Sequence, residues 1–140
     1  MGRVFLCPFL MKNKIKKHLI EELKYTQKLH QNRAIDLELP VNERRKNKRV
    51  SQQKELIIQS LEGKIPVKKT YLRVLKRWLK IHRMWAEYFK YYLNEIKKGK
   101  LNKKREEELK AEIKEEGGVK WHQRWVNVYQ KIIKRLEAKK

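Results

Sequence analysis

Thirty-eight lysines and arginines against sixteen aspartates and glutamates give this 140-residue chain a formal net charge of +22. The chemistry such residues offer is neutralisation of phosphate, because that excess is far beyond what solubility requires and implies a polyanionic partner. Nucleic acid is the first expectation, and an anionic membrane surface the second. Two basic clusters, KNKIKK at residues 12–17 and RRKNKR at residues 44–49, stand on either side of a proline elbow, where two cationic segments would follow a curved polyanion. A third set, Lys69, Arg73, Lys76, Lys80, Arg83 and Lys90, recurs at helical steps. Contacts of this kind go to the phosphate backbone and carry no base code.

Other chemistries have little material. Only Ser51, Ser60, Thr26 and Thr70 offer hydroxyl nucleophiles, and Asp36 is the sole aspartate. No Gly-rich phosphate loop or HExxH motif occurs, and Glu106, Glu107 and Glu108 read as a solvated helix face, so the chain is not expected to be an enzyme. Cys7 is the one cysteine, which rules out an intrachain disulfide and a CxxC zinc site. His18, His30, His82 and His122 lack ligand-like spacing. Neither metal nor cofactor is expected. VFLCPFLM at residues 4–11 is too short to span a bilayer and lacks the features of a signal peptide.

The elements that must hold these cations are helices. Gly and Pro are few and sustained alternation is absent, so the expected fold class is all-α, a helical bundle with an extended cationic N-terminal helical arm. Residues 12–32 predict a first helix with a narrow stripe through Ile15, Leu19, Leu23 and Tyr25 or Thr26, better suited to lying on a partner than to a wide buried face. Pro40 ends that pattern in a linker, residues 33–43. The expected division is an arm and elbow over residues 1–42 and a basic bundle over 43–140.

A second helix finishes on Ile57, Ile58 and Leu61 with Gly63 as its stop, and a third runs from Pro66 to about Lys98, stopped by Gly99. Asn102 caps a fourth with Leu109 and Ile113 as anchors; the last, residues 119–138, puts Trp121, Trp125, Val128, Tyr129, Ile132 and Leu136 on one face. Residues 101–118 carry five basic and six acidic side chains, which makes the fourth helix the natural face to turn away from a polyanion.

LKRWLKIHRMWAEYFKYYL, residues 75–93, poses the sharpest choice between core and base-stacking surface. Tyr71, Val74, Trp78, Ile81, Trp85, Tyr88, Tyr92 and Ile96 share one stripe, widened by Leu75, Phe89 and Leu93, while the cations keep the other side. Stacking platforms interleave aromatics with cations, so this separation favours a core stripe and a phosphate-facing basic one. A plainly solvated charged face is the alternative for the basic stripe.

The cationic helical segment KNKIKKHLIEELKYTQKLHQNR, the elbow LELPVNERRKNKR and the aromatic bundle that follows resemble the major coat proteins of filamentous archaeal viruses, the lipothrixvirus and rudivirus group. The resemblance implies a virion protein whose N-terminal helices wrap linear double-stranded DNA, commonly as a dimer with a paralogous coat protein within a helical polymer, and in some members beneath a lipid envelope. The DNA-facing residues it implies are Lys12, Lys14, Lys16, Lys17, Lys24 and Lys28 in the arm and Arg44, Arg45, Lys46, Lys48 and Arg49 after the elbow. Lys69, Arg73, Lys76 and Lys80 make the third helix more basic than an outward bundle helix needs. A ribosomal or other ribonucleoprotein subunit binding folded RNA is the alternative, followed by a basic amphipathic membrane-surface protein.

Overall fold

A computed structural model describes residues 8–139, with side chains from Lys14 onward. The protein is an all-α helical bundle: α1 (Pro8–Ala34), α2 (Val41–Leu61), α3 (Lys69–Lys97), α4 (Lys103–Glu115) and α5 (Gly118–Ala138), with no strand among the described residues. Two compact units divide it. The first runs up to Tyr71 and takes in the chain again from Lys134; the second is Leu72–Ile133. The expected division near residue 42 falls inside the first unit, because α1 and α2 pack on each other across the elbow.

That packing is antiparallel. His30 Nδ1 meets Asn47 Oδ1 at 2.7 Å, Lys54 Nζ donates to Thr26 Oγ1 at 2.8 Å, and Gln27 Nε2 donates to Glu55 Oε2 at 2.8 Å, so the partners advance in opposite directions. Leu19 and Leu23 of α1 and Ile57, Ile58 and Leu61 of α2 are buried. The narrow stripe of α1 is thus covered by α2, where the sequence suggested an arm waiting for a partner. The interface is wider than its apolar pattern because Glu22, Thr26, Asn47, Ser51 and Lys54 are also buried. Of the alternatives Tyr25 and Thr26, the threonine faces inward, while Tyr25 and Ile15 are exposed.

Pro40 lies just before α2, and its carbonyl accepts from Arg44 N–H at 3.0 Å. Asp36 shapes the preceding turn by accepting the Glu38 N–H at 3.0 Å on Oδ1. At the other end of α2, Gly63 adopts φ +79° and the Lys64 N–H returns to Gln59 O at 2.9 Å, closing the helix in a left-handed cap. Lys139 Nζ adds hydrogen bonds to Ser60 O at 3.1 Å and Leu61 O at 2.9 Å, carbonyls at the dipole's negative end. Lys139→Met is therefore expected to lower stability by about 1 kcal/mol, read as a shifted urea midpoint at unchanged slope.

In the second unit Leu75, Ala86 and Phe89 of α3, Leu109 and Ile113 of α4, and Trp125, Tyr129 and Ile132 of α5 are buried. The expected core stripe on α3 is displaced. Leu75 and Phe89 lie at its centre, Trp78, Trp85 and Tyr92 are half-buried at its margin, and Ile81, Tyr88 and Leu93 are exposed. An apolar arc this wide exceeds what the flanking helices cover. Pro66 also precedes α3 by three residues instead of opening it, with its carbonyl accepting from Ser60 Oγ at 3.3 Å.

Asn102 caps α4 by accepting the Arg105 N–H on Oδ1 at 2.8 Å. Between α4 and α5, Gly117 has φ +88°, and a Cβ there would stand 2.8 Å from the Trp121 ring, so both backbone and space require glycine.

Candidate nucleic-acid interface

At 3.6 residues per turn, the residues opposite Leu19 and Leu23 on α1 are Lys14, Lys17, Lys24 and Lys28, within an arc of about 80°. All four are exposed. Burial of the apolar stripe therefore fixes a row of cations about 20 Å long on the far side of the same helix. Lys12 falls outside the residues whose side chains are described, as do Cys7 and the side chains of VFLCPFLM.

Lys16, half-buried, joins Lys17 and Lys24 in a cleft of about 520 Å³ that is also lined by Ile20, Glu21, Glu62 and Lys64. Lys64 was not anticipated from the sequence. Its position follows from the Gly63 turn, which folds the chain back after α2. Four cations there face two carboxylates, and Lys64 Nζ already lies 3.5 Å from Glu62 Oε1, so the cleft offers an anion only a partial charge excess. The nearby Lys139 ammonium is held below its usual pKa by burial first, then by the charges of Lys16 and Arg135.

The RRKNKR block does not line this cleft. Arg45, Lys46, Lys48 and Arg49 are exposed on the side of α2 opposite buried Asn47, Ser51 and Lys54. Arg44 differs from its neighbours: half-buried, it donates from Nε to Leu39 O at 3.2 Å and braces the elbow. On α3, Lys69, Arg73, Lys76 and Lys80 are all exposed and fall within an arc of about 60°. The unit boundary separates Lys69 from the other three.

Several side chains suited to other chemistry are engaged in the fold. Thr26 Oγ1 donates to Leu23 O at 3.1 Å, Ser51 Oγ to Lys48 O at 2.7 Å, and Asp36 holds its turn. His82 and His122, 40 residues apart, meet through their Nδ1 atoms at 2.8 Å, so one nitrogen donates and the other accepts. Burial lowers the His122 pKa, against an opposing pull from Glu116. The pair sits among Trp85, Phe89, Trp125 and Tyr129 and ties α3 to α5. Among the described residues no group of three or more His, Cys, Asp or Glu is placed to hold a metal ion, and no helix is long and apolar enough to cross a membrane.

Comparison with family models, curated proteins and solved structures returned no match to this chain. The resemblance to filamentous-virus coat proteins therefore stands on the layout of the sequence alone.

Proposed function

We propose that this protein packages nucleic acid through its phosphate backbone, as a coat protein that wraps linear double-stranded DNA without sequence preference and polymerises into a helical filament. The observation that carries the reading is the row Lys14, Lys17, Lys24 and Lys28, fixed opposite the buried face of a 27-residue helix. A helix held rigid by its own core presents charge to a duplex with little ordering left to be done. Arg45, Lys46, Lys48 and Arg49 extend the contact beyond the elbow, and the basic face of α3 adds a further strip. The filament, a paralogous partner subunit, the virion and its envelope belong to the same proposal and rest on the resemblance.

Purified protein titrated with long random-sequence duplex DNA across a salt series tests it. The expected result is regular filaments by electron microscopy and a log–log salt slope of about −5 or steeper. Weak binding without order, together with strong competition by folded RNA, would assign the protein to a ribonucleoprotein instead. Reversing Arg45, Lys46, Lys48 and Arg49 to glutamate is expected to weaken duplex binding and flatten that slope by about 3 or more, with helicity unchanged by circular dichroism. An unaltered slope would remove α2 from the interface.

A further inference from the structure

The second unit carries an open cavity of about 500 Å³, lined by Ile81, Met84, Trp85 and Tyr88 of α3 and Glu112 of α4. Its volume lies in the range of small-molecule sites. Four walls are apolar or aromatic, and the one charge belongs to Glu112. The Trp85 and Tyr88 rings meet edge to face at 85° with centroids 5.9 Å apart, so a group seated in the corner they form lies beside two π-systems. Tyr92 backs the corner, 4.7 Å from Tyr88.

Glu112 is half-buried and makes no ion pair or side-chain hydrogen bond among the described residues, in a chain with more than two basic residues for each acidic one. Its neighbours on α4 are otherwise engaged: Glu106 with Lys110 at 3.8 Å and Glu108 with Arg105 at 3.5 Å. The Tyr88 phenol is held above its usual pKa by desolvation and then by the charge of Glu112, while Arg105 pulls the other way. The surrounding segment, residues 101–118, has one more acidic than basic residue and is the part of the chain least hostile to a cation.

We propose that this corner binds a small alkylammonium ion, its carbon shell against Trp85, Tyr88 and Met84 and its charge toward Glu112. Each alternative ligand class meets an obstacle. A nucleotide or other anion would face the carboxylate with no cation in the lining, a hydrated metal ion would find one ligand and apolar walls, and a neutral apolar molecule would leave Glu112 desolvated. An alkylammonium ion satisfies both kinds of wall, since aromatic faces attract it electrostatically and its surface is apolar.

Choline chloride is the probe, titrated into the full chain while the indole N–H resonances of the four tryptophans are followed by NMR, with 3,3-dimethyl-1-butanol as its uncharged isostere. Saturable choline binding that perturbs one indole is expected, with the isostere at least about fivefold weaker. Glu112→Gln is expected to reduce choline affinity by a similar factor without changing the isostere, and Tyr88→Leu to weaken choline, both with helicity retained. Equal affinity for the two probes, or choline binding indifferent to Glu112→Gln, would reduce the corner to a greasy patch. Silence up to about 50 mM choline would overturn the site. None of these results depends on DNA binding.

Discussion

Lys54→Met is expected to remove a rise in stability that the native protein shows between pH 7 and about 10. Lys54 is 2% exposed in the α1–α2 interface, where burial lowers its pKa from 10.5 to about 7. Between those two values the unfolded chain holds a proton that the folded chain has released, so raising the pH favours folding. Below pH 7 both states are protonated and the penalty is fully present. A shift of that size corresponds to at most about 5 kcal/mol. Methionine fills a similar volume with no charge to titrate, while giving up the hydrogen bond to Thr26 Oγ1.

Relief of repulsion among the other lysines also stabilises the fold as pH rises, but it acts on both proteins alike. The measurement is the urea midpoint of native and variant at pH 7 and pH 9.5. Parallel changes in the two would show that Lys54 does not titrate in this window. Above pH 10 Tyr129 opposes that trend in both, because burial raises its phenol pKa and the unfolded chain then releases its proton first.

The second large effect separates two tryptophans of one aromatic cluster. Trp125 is 1% exposed on α5, against Tyr129 at 5.5 Å, and Trp125→Ala is expected to cost about 3–5 kcal/mol. Trp85 touches Phe89 at 5.3 Å and stacks on His122 at 6.2 Å but is only half-buried. Its alanine variant is expected to lose about 1–2 kcal/mol, since part of that ring is already solvated. Urea unfolding of both, followed by near-ultraviolet circular dichroism, makes the comparison. Equal losses would place Trp85 in the core and remove a wall from the proposed ammonium site.

Helix order, the Gly63 and Gly99 stops, the Asn102 cap and the anchors Leu109 and Ile113 were legible in the sequence, because each depends on local backbone chemistry or a clean helical period. Two things were not. Apolar periodicity counts no polar residues, so it missed that Thr26, Asn47, Ser51 and Lys54 complete the α1–α2 interface and turn the expected arm into half of a hairpin. Periodicity also gives the direction of a stripe without the width a neighbour will cover. For that reason Ile81 and Tyr88 fall on the predicted core stripe yet lie outside, and the cavity they line with Glu112 has no signature in the one-dimensional pattern. The exposed cations were readable as a set; their pairing with Lys64 depends on a turn that brings distant residues together.

The return of the chain to the first unit governs the order in which the protein can be completed. Leu136 is buried and Lys139 caps α2, so the first unit uses residues made after all of the second. During synthesis α1 and α2 emerge early, yet their last contacts arrive only when the ribosome has passed residue 139. The second unit is a continuous stretch from Leu72 to Ile133 and needs nothing from beyond it. A released fragment ending at residue 133 would thus keep the whole of the second unit but leave α2 without its Lys139 cap. Docking of Lys139 on the end of α2 joins residues 78 or more positions apart in sequence, a class of contact that is slow for a chain to find.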